Sequence, residues 1–349
     1  MHKFYNILIL ICIFSEIKSQ EKGVKEPFFT LMFYNTENLF DCFDDPITDD
    51  NEFLPTSKRH WTRERYQDKL NKLSKVILSA SIDPPSFIGM SEVENYFVLD
   101  NLIKKTSLEK FNYKIIHYDS PDPRGIDVAA IYRADKLKIL SSKAIRIHFK
   151  SNPKRKTRDI LYIKGIIEKD TVHFFVNHWP SRRGGKKASD LNRKIAAQYL
   201  KNNIDSIERT SPQAKIIVTG DFNDEPDDKS ICDVLKAHAP QTEINKNQNL
   251  INLSFRWLIE SSYIGTHHFK GRWGILDQII ISPSLLRKKK QGSIYCNLNS
   301  AKIHNASFLL LEDKTFGGNT TFRTYSGFKY TAGFSDHLPV LLELFLLEK

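Results

Sequence analysis

Residues 215–224 read Lys215-Ile216-Ile217-Val218-Thr219-Gly220-Asp221-Phe222-Asn223-Asp224. Lys215 to Thr219 is apolar, β-branched and of strand length, and it stops at a glycine followed by an acid and an amide. A buried strand that ends in a polar turn carries its carboxylate to a rim. Four more polar bursts stand at strand-like ends: Tyr34-Asn35-Thr36-Glu37-Asn38, Met90-Ser91-Glu92-Val93-Glu94-Asn95, Asn177-His178-Trp179-Pro180-Ser181 and Phe334-Ser335-Asp336-His337-Leu338-Pro339. Carboxylates, amides and imidazoles gathered at one rim suit a hard cation that binds carboxylate and phosphate oxygen together.

Outward from these bursts, strand-like and helix-like runs alternate. Phe28 to Tyr34, Ser86 to Val93, Tyr113 to Tyr118, Ile126 to Tyr132, Leu137 to His148, Ile160 to Glu168 and Val172 to His178 read as strands. So do Leu276 to Ser282 and Leu338 to Leu346. Glu64 to Ala80 places Leu70, Leu73, Val76 and Ile77 at helical spacing, and Tyr96 to Ser107, Ser189 to Ile207 and Lys229 to His238 read as helical. Gln241 to Leu258 reads either way. Mixed helices and adjacent strands on this scale predict an α/β sandwich, two sheets with helices outside.

The chain has 349 residues, 40% hydrophobic and 27% charged, with 15 Gly and 14 Pro, which excludes disordered, collagen-like and repeat-tract classes. Lys and Arg number 52 against 41 Asp and Glu, a net charge of +11 that favours a polyanionic partner, nucleic acid or an anionic membrane surface. Residues 1–20 have the pattern of a signal peptide, with Lys3 ahead of an apolar run from Ile7 to Phe14 that is too short to span a bilayer. Residues 21–27 read as a short linker and 28–349 as a single domain, exported to the periplasm or medium; no lipid anchor at Cys12 is expected. Cys42, Cys232 and Cys296 then remain, an odd number without a metal-site spacing, so at most one disulfide forms.

The five bursts, in this order and separation, resemble the endonuclease/exonuclease/phosphatase superfamily, over roughly Phe28 to Glu348. The resemblance implies a deoxyribonuclease I-like four-layer sandwich, two mixed β-sheets flanked by helices. It implies that Asp221 orients or deprotonates the attacking water, that Asn223 and His178 hold the scissile phosphate, and that His337 contacts a phosphate oxygen while Asp277 orients it. Glu92, with Asn35 and Asp336, would bind the metal, Mg2+ with Mn2+ or Ca2+ as alternatives. Arg124 falls where the family places a residue near the phosphate. Arg182, Arg183, Lys186 and Lys187 form a basic, glycine-containing stretch after His178, either a grip on flanking phosphates or a solvated face. Glu94 and Asp224 read as solvated neighbours.

The expected activity is a divalent-metal-dependent phosphodiester hydrolase, a nuclease acting on DNA or RNA as a monomer without a stable protein partner. The alternatives are lipid headgroups, in the manner of sphingomyelinases, or inositol phosphates, and a silent nucleic-acid-binding protein on the same fold. The aromatic and basic segment Phe322 to Tyr330 could serve lipid contact or base stacking.

Overall fold

The computed structural model describes residues 26–240, 250–260, 264–288 and 290–348; the signal-peptide segment, Cys12 and most of the linker lie outside the described residues. Eight strands in the first two thirds of the chain build the frame. They are β1 (Phe29–Leu39), β2 (Phe87–Val93), β3 (Tyr113–His117), β4 (Asp127–Arg133), β5 (Lys138–Ile145), β6 (Ile160–Ile167), β7 (Asp170–His178) and β8 (Lys215–Asp221). The strands Asp277–Ile281 and Val340–Leu346 complete its centre.

One sheet runs Ile294–Tyr295, Val340–Leu346, β1, β2, β4, β3, with Ala301–Ile303 also on Val340–Leu346; the other runs β5, β6, β7, β8, Asp277–Ile281, Leu250–Asn252, Ala237–His238. Both are mixed: β1 and β2 are parallel, as are β7 and β8, while Val340–Leu346 and Asp277–Ile281 join antiparallel. The sheets face each other across one apolar core, where Phe87 of β2 stacks on Phe174 of β7 with centroids 4.7 Å apart. Helices α1 (Arg63–Ser79) and α2 (Tyr96–Lys104) cover the first sheet. Helix α3 (Lys186–Thr210) lays Ala196, Ala197, Leu200 and Ile204 on Phe175, Ile216 and Val218 of the second. Burying each large aliphatic side chain there contributes about 1.5–3 kcal/mol. With both faces covered, the central strands read as continuous apolar runs. The result is the four-layer α/β sandwich expected.

Several boundaries differ. β1 runs on to Leu39 because its pairing with β2 slips between Asn35 and Leu39, with Glu37 and Asn38 in left-handed backbone. Lys229 to His238 is a wide helical turn, Ser230–Leu235, and then a short strand, because Ala237 and His238 pair with Leu250 and Ile251. α3 starts at Lys186, three residues before the expected Ser189, so Lys186 and Lys187 open a helix. Of Gln241 to Leu258, residues 241–249 lie outside the described residues, and the rest is a short strand and a helical turn. Cys42, Cys232 and Cys296 are all free thiols.

The topology decides where the chemistry lies. The carboxyl ends of β1, β2, β7 and β8 and the amino ends of Asp277–Ile281 and Val340–Leu346 all open on one edge of the sandwich.

Candidate active site

Asp221 ends β8 and stands in register with His178 on one side and Asp277 on the other. Gly220 before it has no room for a side chain, since a Cβ there would come within 2.3 Å of the Asn177 carbonyl oxygen. Asp221 Oδ1 accepts the backbone N–H of Asn223 at 2.9 Å and Oδ2 accepts the Asn35 amide N–H at 3.1 Å. His178 Nε2 lies 3.6 Å from the same Oδ2 and 3.9 Å from Glu92 Oε1, and His337 Nε2 lies 3.9 Å from Asp221 Oδ2. His337 Nδ1 donates to Asp277 Oδ2 at 2.7 Å. Asn35, Glu92, His178, Asp221, Asn223, Asp277 and His337 thus surround one point.

The frame holds these groups in costly conformations. Glu37, Asn38, Glu92 and Asn223 have φ of 51°, 57°, 60° and 52°. Left-handed backbone outside glycine costs about 1 kcal/mol or more and clusters at functional sites. At Glu92 the return is a carboxylate that accepts the Asn38 N–H at 3.0 Å. Ser335 ties the terminal triplet to β1 by donating to the Asn35 carbonyl at 2.7 Å and accepting the His337 N–H at 3.1 Å.

Electrostatics separate the two histidines. Burial would keep His337 neutral, but the Asp277 and Asp221 carboxylates outweigh it and hold the ring charged, well above the ordinary range. His178 is pushed the other way, by burial and then by Arg158, Arg124 and His337, and stays neutral. Its Nδ1 is buried without a hydrogen-bond partner. Burial raises Asp221 to about 7, with Asp277 and Glu92 adding to the push and His337 opposing it. A carboxylate at that value is poised to take a proton near neutral pH.

The basic residues divide. Arg182 Nε donates to the Asn223 carbonyl at 2.7 Å, and its guanidinium also reaches Glu225 and Asp228, so it clamps the turn that carries Asp221. Lys186 pairs with Asp228 at 2.6 Å. Arg183 and Lys187 are exposed. Arg124 leans on Asp122 at 3.4 Å, half-exposed, close enough for its charge to act on His178. Two expectations are corrected. Asp224 is buried, 2.7 Å from the Arg193 Nε of α3 and accepting from Ser230; Glu94 is buried and accepts the Asp41 N–H at 2.6 Å. Each takes a neighbour's donor, which the surrounding core makes costly to leave unpaired.

The donors fit a hard cation. Glu92, Asp221 and Asp336 supply carboxylate oxygens at the rim, and the ligand atoms of Asp221, Asp277 and His337, and of His267, Asp336 and His337, each lie within 4.8 Å of one another. The first group is already tied together by the Asp277 to His337 hydrogen bond. The Asn35 oxygen accepts the Glu37 N–H at 3.0 Å, and Asp336 pairs with Arg323 at 2.8 Å. Burial would raise Asp336, but His337, Arg323, His267 and Lys69 hold it low, as an anion.

Sequence reasoning missed four neighbours. Lys69, buried in α1, donates to Thr324 Oγ1 at 2.7 Å and the Phe334 carbonyl at 2.6 Å; it stands on the apolar stripe between Tyr66 and Leu73, a position where a lysine is itself a signal. Glu37 accepts the Thr324 N–H at 2.6 Å, and buried Arg158 donates to the Trp179 carbonyl at 2.6 Å and to Asp122 at 3.1 Å. His267 packs against His337 with centroids 4.6 Å apart and planes tilted by 41°, and no local signal marks it. The segment Phe322 to Tyr330 spends its aromatics on packing: Arg59 covers Tyr325 and Arg65 covers Tyr330, leaving Phe328 exposed.

Residues 30–346 match the Endonuclease/Exonuclease/phosphatase family. No curated protein sequence matches the chain. The fold is similar to that of D. rerio TDP2 complexed with a single-strand DNA product, at 14% identity over 90% of this chain and 98% of that one, TM-score 0.54. It is similar to the human Nocturnin catalytic domain with a bound sulfate anion, at 15% identity over 91% and 94%, TM-score 0.52. A mannosyl-6-phosphatase of Bacteroides thetaiotaomicron shares it too, at 16% identity over 90% and 99%, TM-score 0.52.

Proposed function

The chain belongs to the endonuclease/exonuclease/phosphatase family, and from that premise we propose that it is a divalent-metal-dependent phosphodiester hydrolase acting on nucleic acid, DNA ahead of RNA. The observation that carries this reading is the linked set Asp277, His337 and Asp221, one buried imidazolium between two carboxylates at the rim. The net charge of +11 supports a polyanionic substrate. The DNA product in the TDP2 structure supports it by analogy of fold. Export directed by residues 1–20, and action as a monomer, belong to the same proposal.

A phosphodiester is anionic and repels hydroxide, so the site must neutralise it, aim a water and stabilise the leaving oxygen. Glu92, Asn35 and Asp336 would hold a divalent cation, which when bound neutralises phosphate oxygens and the leaving alkoxide. Asp221 takes the water's proton at its carboxylate, kept in aim by the Asn35 amide and the Asn223 N–H. His337 presents a positive Nε2–H to the phosphate, its ring orientation fixed by the Nδ1–H donated to Asp277. Neutral His178 presents its Nε2 edge to the same space, and the Asn223 amide, donating one hydrogen to the Trp179 carbonyl at 3.2 Å, has a second for a phosphate oxygen.

The test is the set Asp221→Ala, Asn223→Ala and His337→Ala, each expected to stay folded and to lose about 100-fold or more in rate. Near-native turnover in folded Asp221→Ala and His337→Ala would place the active site elsewhere.

A further inference from the structure

Two exposed aromatic groups flank the catalytic rim, and charge tells them apart. On one lip Phe43, Ile47, Tyr96 and Phe97 are exposed, with Phe43 edge-on to Phe97 at 6.3 Å. On that lip Asp44 and Asp49 are exposed and Asp45 partly so, against Lys105 5.7 Å from the Phe97 ring centre, an acidic balance that disfavours a polyanion. On the other, the hairpin of strands His267–Phe269 and Arg272–Gly274 turns through Lys270 and Gly271, both with positive φ, as tight hairpin turns require. Phe269 is 60% exposed at its tip, and so is Phe316, whose ring packs where a Cβ on Gly271 would lie.

The hairpin is anchored to the catalytic centre. Alternation along its first strand turns His268 inward against Trp273, centroids 4.9 Å apart, and sets His267 and Phe269 on the opposite face. His267 bridges to His337 through backbone and ring, and Phe269 lies nearly parallel to His267, centroids 6.4 Å apart and planes 19° off. An aromatic ladder therefore leads from the catalytic histidine to an exposed ring. Lys270 stands 5.3 Å from the centre of that ring, and Arg272 and Lys314 are exposed around it.

We propose that this hairpin is the platform for the unpaired nucleotide next to the scissile phosphate, its base stacked on Phe269 and its backbone held by Lys270 and Arg272. The inference rests on the nucleic-acid reading above and deepens it: the strand leaves the site over the basic lip only, because the acidic lip opposite rejects it. Base stacking on an aromatic side chain tolerates any sequence, since every base has a π-face.

The test is binding of a short fluorescent oligothymidylate by the full chain in EDTA, followed by anisotropy. Phe269→Ala is expected to weaken binding about 5- to 100-fold, the usual worth of one stacked base. Phe269→Trp should bind as the parent does, and Phe43→Ala should change nothing. Lys270→Ser with Arg272→Ser should flatten the salt dependence by about 0.7 in log-log slope per lost contact. Parent-like binding by folded Phe269→Ala, or no binding by the parent, overturns the platform. So does a Phe269→Ala protein that loses affinity for phosphatidylcholine vesicles instead of for the oligonucleotide. Intact oligonucleotide binding without cleavage of any nucleic acid in Mg2+ would overturn the proposed function and leave the platform standing.

Discussion

His337 Nδ1 donates to Asp277 Oδ2 at 2.7 Å, and Asp277 is wholly buried, its backbone N–H fixed at 3.0 Å on Thr266 Oγ1. A charge that cannot move fixes the orientation of the ring and keeps it protonated.

Asp277→Asn keeps the shape and removes that charge. The His337 pKa should fall towards the ordinary histidine range, read by NMR titration, and turnover should drop about 100-fold or more. An unchanged rate beside a lowered His337 pKa would show that the imidazolium does not assist.

Arg182 and Arg183 are adjacent in sequence and should behave differently. Arg182→Gln frees the Asn223 carbonyl and loosens the Asp221 turn, so turnover on a small phosphodiester should fall. Arg183→Gln and Lys187→Gln should leave that rate alone and flatten the salt dependence on polynucleotide by about 0.7–0.9 per contact. Equal effects from Arg182→Gln and Arg183→Gln on the small substrate would remove the distinction.

Much of the site was legible because its residues end strands, where an apolar run breaks into acid, amide and imidazole. That local pattern marked Asp221, Asn223 and His337 as rim residues, and the roles expected of them came from the family resemblance. Arg193 and His267 did not show themselves, because what makes each important is a partner far along the chain, Asp224 and His337, and Lys69 offered only its place on an apolar stripe, with its partner Phe334 equally distant. The same limit misplaced Asp224 and Glu94, whose polarity says solvent while their neighbours bury them. The central strands were read within a few residues, since both their faces are apolar. The short hairpin strands at His267–Phe269 and Leu310–Glu312 were missed because three residues carry no period.

Away from the rim, His173 gives a stability signature. Burial and then the charge of Lys164 lower it to about 4, while its Nδ1 shares a 2.8 Å hydrogen bond with the Tyr162 hydroxyl. Unfolded, it titrates near 6.5. Between about pH 4 and 6.5 the unfolded chain binds the extra proton, so stability rises with pH through that window and is lost on acidification. His173→Gln should flatten this part of a urea-midpoint profile. Parallel profiles for parent and variant would show that the ring does not titrate between the two states.

Phosphodiester cleavage at the rim should depend on a divalent metal. The measurement is initial rates on duplex DNA, single-stranded DNA, RNA, sphingomyelin, inositol phosphates and a sugar phosphate, with Mg2+ or with EDTA, for the parent and Glu92→Gln. Cleavage of DNA should require the cation, vanish in EDTA, return on adding Mg2+ in excess, and return only weakly in Glu92→Gln. An EDTA-resistant rate equal to the untreated one would rule out the metal, and turnover of the lipid or sugar phosphate with none of any nucleic acid would rule out the nuclease.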